Sequence, residues 1–177
     1  MIKRVKRELI YQGSILDIYS DSMELPDGKI EKWDYVEHRK GAAAVVAVLD
    51  DGRLLVVRQY RNALERFTLE IPAGARDSVT EPTSECAARE LEEETGYRCE
   101  NLEFLISLKT TVAFCNELID VYVARNLISS KQRLDEGEEI ELKAYTLEEL
   151  CQKIYQGEIQ DGKTIAAIMA YKNKYHL

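Results

Sequence analysis

Two segments near the start of the chain alternate between apolar and polar positions, which predicts two antiparallel β-strands. The strands cover residues 15 to 24 and 29 to 38, on either side of a Pro-Asp-Gly turn. We expect this hairpin to form an N-terminal β arm over residues 1 to 40. The remaining chain, residues 41 to 177, is expected to form the main domain.

After the arm, short apolar runs alternate with segments of helical period. Residues 42 to 49 (AAAVVAVL) are apolar throughout, which is typical of a strand buried on both faces. Five further strands are predicted at residues 54 to 60, 68 to 72, 102 to 109, 118 to 124 and 139 to 145. Helices are predicted after residue 82, from a capping box at Thr146 to about Gln156, and over residues 161 to 174. This order predicts an α/β fold with a mixed sheet and helices on both faces.

The first of these helices concentrates carboxylates on one flank. Pro82 suits its first turn, and Gly96 lies just past its end. At about 100° per residue, one stripe of side chains should face the core, with a group of glutamates beside it. The stripe contains Ala87, Ala88, Leu91 and Thr95, and the group contains Glu90, Glu93 and Glu94.

Three neighbouring carboxylates favour compensation by a cation. Like charges three and four residues apart repel each other, and Arg89 can offset only one of them. Oxygen ligands without a nearby His or Cys suit a hard ion such as Mg²⁺ or Mn²⁺, which also binds substrate phosphates. The alternative interpretation is a solvated acidic face, because Glu is a good helix former.

The order of residues in this helix carries a more specific signal. Residues 89 to 97, RELEEETGY, match REUxEExGU, the second half of the Nudix box, where U is a bulky apolar residue. Glu81 also stands at the spacing that the box requires. The sequence therefore resembles the Nudix hydrolases, which implies their α/β/α sandwich. One departure is that six residues separate Gly74 from Glu81 where the family has five, and the extra residue lies in the loop ahead of the helix.

Motifs outside the box resemble the ADP-ribose pyrophosphatase branch of the Nudix hydrolases, over nearly the whole chain. They are Arg58-Gln59-Tyr60-Arg61, Ile71-Pro72-Ala73-Gly74, Phe114-Cys115-Asn116-Glu117 and Ala124-Arg125-Asn126-Leu127. Thr111-Val112-Ala113 replaces the Ser-Pro-Gly that this branch usually carries. The resemblance implies hydrolysis of ADP-ribose to AMP and ribose 5-phosphate. Two alternatives stay open: another nucleoside diphosphate sugar or a dinucleotide as substrate, and a non-catalytic sensor of a nucleotide metabolite.

The resemblance also implies a metal site. The carbonyl of Ala73 and the carboxylates of Glu90 and Glu94 would hold Mg²⁺ or Mn²⁺. Glu93 would be a neighbouring ligand or orient the attacking water, and Glu81 would be secondary. The metal would neutralise the diphosphate and activate the water.

Two further groups of residues have roles implied by the resemblance. Either Glu117 or Glu93 takes the proton of the water, and the sequence does not rank them. Arg89 is expected to position the glutamates through salt bridges. Substrate contacts are expected from Arg61 to the diphosphate, from Arg58 as a weaker candidate, and from Trp33 to the adenine, often across a dimer interface. Trp33 has the alternative of an ordinary half-buried strand residue, and Glu117 that of a solvated loop charge.

Charge and composition limit the classes of partner that the chain is expected to bind. The formal net charge of -8 and the lack of a basic stripe argue against a nucleic-acid surface. No apolar run approaches membrane-spanning length, so a membrane partner is not expected. The four cysteines form no CxxC pair, which favours free thiols in the cytoplasm. The expected partners are therefore a small nucleoside diphosphate and a second copy of the chain, joined through the arm, which would also act as a substrate lid.

A second phosphate-binding pattern occurs near the C-terminus but lacks the required context. Residues 157 to 164, GEIQDGKT, satisfy the P-loop pattern GxxxxGK[ST]. A P-loop must follow a strand, whereas the preceding residues TLEELCQKIYQ have helical propensity and period. We therefore interpret this segment as a connection between two helices, with Asp161 as an N-cap.

Overall fold

The computed structural model describes residues 1–134, 137 and 139–177. Its N-terminal part is a three-stranded antiparallel sheet in the order β1-β2-β3. The strands are β1 (Lys3–Gln12), β2 (Leu16–Glu24) and β3 (Ile30–His38). The predicted hairpin is confirmed as β2 and β3. The sequence did not predict β1, because two register shifts interrupt its alternation and most of its side chains are exposed.

The second sheet has seven strands and forms the centre of the molecule. Its main path runs β12-β5-β4-β10-β9, with β6 paired to β5 and β7 paired to β4. The strands are β4 (Ala42–Val48), β5 (Leu54–Arg61), β6 (Arg66–Glu70), β7 (Ala73–Ala75), β9 (Leu102–Lys109), β10 (Leu118–Ala124) and β12 (Ile140–Tyr145). A small separate pair joins β8 (Tyr97–Arg98) to β11 (Ile128–Ser129). The sheet is mixed, since β4 and β10 are parallel and its other pairs are antiparallel.

One predicted strand has different bounds in the structure. The strand expected at residues 68 to 72 ends at Glu70 as part of β6, and a separate short strand, β7, begins after Pro72. Proline has no N–H to donate to a β ladder, so pairing stops there. The carbonyl of Pro72 still accepts a hydrogen bond from the Val45 N–H at 2.9 Å. Before the break the chain pairs with β5 as β6, and after it the chain pairs with β4 as β7. Strand β7 therefore lies at the site described below.

Three α-helices complete the fold of the described residues, and their positions agree with the sequence prediction. They are α1 (Thr83–Thr95), α2 (Leu147–Tyr155) and α3 (Gly162–Lys174). Pro82 is the N-cap of α1 and so lies one position before the first turn. The capping box at Thr146 is formed, and the Asp161 carboxylate accepts from the Thr164 N–H at 3.0 Å. None of the helices in the described residues is long and apolar enough to cross a membrane.

The helices cover both faces of the central sheet. Strand β4 is buried along its whole length, with α1 packed on one face and α2 and α3 on the other. This arrangement confirms the α/β/α sandwich. The stripe predicted for α1 was wrong at Ala88, which is exposed, whereas Cys86 is buried in its place. Burial of a free thiol beside Ala87 and Leu91 contributes to the α1 side of the core.

Candidate active site

A cleft of about 540 Å³ lies where several strands of the central sheet end and α3 begins. Its polar and charged walls come from β3, β5, the β9–β10 connection and the start of α3. They are His38, Arg61, Lys109, Thr110, Glu117, Asp161 and Lys163. Strand β7 forms another wall through Ala73, Gly74 and Ala75. The fold therefore gathers three of the predicted site residues, Ala73, Arg61 and Glu117, around one cavity.

Strand β7 separates this cleft from the glutamates of α1. A Cβ atom at Gly74 would overlap the Glu90 carboxylate, so the two groups are in direct contact. On the same side, Glu94 accepts a hydrogen bond from the Ala73 N–H at 2.9 Å. Both carboxylates are largely buried. The close approach of Glu90 explains why glycine is required at position 74.

Replacing Gly74 with Ala is expected to lower kcat by roughly a hundredfold, because the added methyl group displaces Glu90 from its place under β7. The change should also raise the metal concentration needed for half-maximal activity. Steady-state kinetics over a Mg²⁺ titration measure both quantities. Unchanged kcat and unchanged metal dependence would show that Glu90 does not need this position.

Arg89 connects the glutamates of α1 with β7. Its Nη1 donates to Glu90 Oε1 at 2.7 Å and to Glu93 Oε2 at 2.9 Å, and its Nη2 donates to the Ala75 carbonyl at 3.0 Å. Glu81 Oε1 lies 3.4 Å from Nε. Burial lowers the pKa of Arg89, but the charge of Glu90 and the hydrogen bonds to Glu90 and Glu93 together outweigh that effect, so the pKa is raised overall. The guanidinium therefore stays charged and holds the carboxylates in a fixed arrangement.

The chemistry of these donors fits a hard divalent cation. The carboxylates of Glu90, Glu93 and Glu94 and the carbonyl of Ala73 supply oxygen atoms only. In the described part of the chain, no three His, Cys, Asp or Glu side chains already form a group that could hold a metal. Arg89 lies between the carboxylates of Glu90 and Glu93. Metal binding would therefore require these side chains to rearrange around the ion.

The two candidate bases lie in different surroundings. Glu117 lines the cleft, is 23% exposed, and accepts from the Thr110 hydroxyl at 2.7 Å. Glu93 is 39% exposed and is held by Arg89. Glu93 does not line the cleft that the described residues form around Glu117. It lines a separate hollow of about 330 Å³ on the outer side of α1.

Sequence reasoning missed a charged network around Glu70 at the end of β6. Glu70 is buried and accepts from Arg61 Nε at 2.7 Å and Nη2 at 2.6 Å, and it also pairs with Lys163. The Thr68 hydroxyl donates to the same carboxylate at 2.6 Å. Burial raises the pKa of Glu70. Hydrogen bonds from Arg61 and the charge of Lys163 have a larger effect in the opposite direction, so the pKa is lowered to about 2. The network fixes two cations on the wall of the cleft.

The sequence contained only a partial signal for this network. Lys163 belongs to the P-loop-like segment, which the structure confirms as a connection between α2 and α3. The segment is therefore not a P-loop, although its lysine does reach the cleft. Glu70 follows a short β pattern and gave no signal, because its partner Lys163 is 93 residues away in the sequence.

The other two predicted substrate residues lie outside the large cleft as it is formed by the described residues. The Arg58 guanidinium stacks 3.8 Å from the centre of the Phe67 ring and lies 3.7 Å from Glu141. Trp33 is 43% exposed on the arm, and its Nε1 donates to Glu31 at 3.4 Å. Within one chain, neither side chain lines the cleft that Arg61 and Glu117 share.

Comparisons with known proteins agree with this fold and site. The NUDIX domain model matches residues 38–168. The chain is 40% identical to the ADP-ribose pyrophosphatase of Bacillus subtilis (strain 168), over 94% of this chain and 90% of that protein. It is 41% identical to the methanol dehydrogenase activator of Bacillus methanolicus, with the same coverage. A crystal structure of an ADP compounds hydrolase has the same fold, with a TM-score of 0.87 at 21% identity, covering 97% of this chain and 92% of that chain.

The Nudix family generally needs a divalent metal, in keeping with the oxygen donors of α1 and β7. The family model covers α1 with its glutamates, the central sheet and most of α3. The chain belongs to the Nudix family and is a Nudix hydrolase.

Proposed function

We propose that this Nudix hydrolase is a magnesium-dependent diphosphatase that cleaves ADP-ribose to AMP and ribose 5-phosphate. The observation that carries the proposal is a single cleft with Glu117 at one wall, Arg61 and Lys163 at another, and β7 with the α1 glutamates behind it. A volume of about 540 Å³ lies within the usual range for small-molecule sites. Relatives that are named ADP-ribose pyrophosphatase, at 40% and 33% identity, support the choice of substrate.

The metal is proposed to bind the Ala73 carbonyl and the carboxylates of Glu90 and Glu94, with Glu93 as a neighbouring ligand. When bound, Mg²⁺ or Mn²⁺ supplies charge neutralisation of the diphosphate and a more acidic water. Arg89 positions these carboxylates, since it contacts Glu90 and Glu93 directly. Glu94 is fixed separately by the Ala73 N–H.

Glu117 is the better supported of the two candidate bases. A general base must reach the proton that it removes, and Glu117 faces the cleft while Glu93 is engaged by Arg89. Its side chain has a fixed direction because Thr110 donates to Oε2. In this proposal Glu117 accepts a proton from a water bound in the cleft.

Arg61 and Lys163 are proposed to bind the diphosphate. Both side chains line the cleft, and Glu70 holds the Arg61 fork and the Lys163 ammonium on the same wall. A planar guanidinium and an ammonium group together suit phosphate oxygens. Arg58 has a secondary role at most, because its guanidinium is stacked on Phe67.

The arm is proposed to join two copies of the chain into a homodimer and to cover the substrate. Exposed apolar side chains on β1 support this proposal; they are Val5, Leu9, Ile10 and Tyr11. Trp33 would then stack on the adenine bound by the partner. All four cysteines are free thiols, which suits a proposed location in the cytoplasm.

A substrate panel tests the proposed function. Purified protein is expected to give its highest kcat/KM with ADP-ribose when it is compared with other nucleoside diphosphate sugars and with dinucleotides at equal Mg²⁺. A higher kcat/KM with another member of the panel would keep the chemistry and replace the substrate. Binding of a panel member without turnover, measured as a rise in Tm, would favour a sensor.

A further inference from the structure

We propose that His38, the last residue of β3, is a positioning residue that orients the Glu117 carboxylate in the cleft. The inference rests on the proposed function, because it takes Glu117 as the proton acceptor. The ring of His38 lines the same cleft as Glu117, and its Nε2 lies 3.6 Å from Glu117 Oε1.

The turn after β3 determines which ring nitrogen faces Glu117. The Gly41 N–H donates to His38 Nδ1 at 3.0 Å, so Nδ1 is an acceptor and carries no hydrogen. The neutral ring therefore carries its hydrogen on Nε2, the ring nitrogen that lies 3.6 Å from the Glu117 carboxylate. Gly41 has φ +73, a conformation that favours glycine and keeps the turn in this form.

Each oxygen of the Glu117 carboxylate therefore has one donor group near it. The Thr110 hydroxyl donates to Oε2, and His38 Nε2–H faces Oε1. The distance of 3.6 Å is slightly longer than a hydrogen bond, as contacts in active sites often are before substrate binds. Loss of the Nε2–H would leave one carboxylate oxygen without a fixed direction toward the water.

The backbone keeps His38 and Glu117 in register. The Val36 N–H donates to the Phe114 carbonyl at 2.7 Å, and the Asn116 N–H donates to the Val36 carbonyl at 3.3 Å. The His38 N–H donates to Asn116 Oδ1 at 2.7 Å. These bonds attach the loop that precedes Glu117 to the end of β3. The arm thus fixes the loop and supplies the side chain that faces the carboxylate.

Two substitutions separate the positioning role from the structural role. His38→Asn keeps an oxygen near Nδ1 for the Gly41 N–H but removes the donor to Glu117. His38→Gln can place an amide N–H near Nε2 but removes the acceptor for Gly41. We expect His38→Asn to lower kcat roughly 10- to 100-fold with little change in KM, as for loss of a transition-state interaction. His38→Gln should retain more activity, although its Tm falls further.

A double-mutant cycle with Glu117→Gln is the decisive test. If His38 acts through Glu117, His38→Asn should lower kcat much less in the Glu117→Gln background than in the wild type. Equal losses of kcat in the two backgrounds would overturn the proposal. It would also be overturned if kcat fell in proportion to Tm in both His38 variants. The choice of substrate is tested separately. If the wild type does not cleave ADP-ribose, that choice is wrong, and the cycle is measured with the panel substrate that the wild type does cleave. Absence of all turnover would overturn both proposals.

Discussion

Replacing Glu94 with Gln is expected to lower kcat for ADP-ribose by roughly a thousandfold, on the order of 4 kcal/mol of transition-state stabilisation. The amide has nearly the same shape as the carboxylate but lacks the charge that a divalent cation requires. Its oxygen can still accept from the Ala73 N–H, which is 2.9 Å from Glu94 Oε2, so Tm should change little. Steady-state kinetics and thermal unfolding of the same sample measure both effects.

Glu92→Gln is the matched control for this experiment. Glu92 belongs to the same acidic run but faces Ser130 and Arg133 on the outer side of α1. The same chemical change there should leave kcat within about twofold of the wild type, as for surface substitutions with small effects on stability. A similar loss in both variants would mean that the total charge of the helix matters more than ligation by Glu94.

Replacing Glu70 with Gln is expected to destabilise the protein by roughly 3 to 5 kcal/mol, the usual cost of removing one partner from a buried ion pair. Glu70 is 3% exposed and neutralises both Arg61 and Lys163. Urea unfolding at pH 7 measures the change in the free energy of unfolding. Glu65→Gln, at an exposed position in the connection between β5 and β6, provides the control and should have little effect.

The pH dependence gives a second measurement of the Glu70 network. The pKa of Glu70 is lowered from 4.5 to about 2, so its charged form stabilises the folded state at pH values above 4.5. This contribution is lost as the pH falls from 4.5 toward 2, where the carboxyl group protonates. The stability difference between wild type and Glu70→Gln should therefore be largest at pH 7 and shrink toward pH 2. A difference that stayed constant over this range would show that packing, and not charge, accounts for it.

The hydrophobic pattern of the sequence predicted the strands and helices that are buried in or against the central sheet. Strand β4 is apolar throughout and α1 carries an apolar stripe, because the sandwich buries them. Strand β1 was missed because no core imposes an alternation on it and two bulges disturb its register. Ala88 was misplaced because the buried face of α1 includes Cys86, Ala87 and Leu91 and leaves Ala88 exposed.

The site was predicted only where a local motif carried it. Glu90, Glu93 and Glu94 follow from the spacing within one helix. The structure places Glu90 and Glu94 against β7, whereas Glu93 lines the hollow on the outer side of α1. Glu70 with Lys163, and His38 with Glu117, are pairs that only the tertiary fold brings together. No local pattern marks such pairs, since the two members of each pair lie far apart in the sequence.

Product analysis of ADP-ribose with purified protein and Mg²⁺, with and without a chelator, tests the central claim most directly. The account predicts AMP and ribose 5-phosphate in equal amounts in the presence of metal, no products from the chelated sample, and roughly thousandfold slower product formation by Glu94→Gln. Intact ADP-ribose in the wild-type reaction, or the same products in the presence of the chelator, would contradict it.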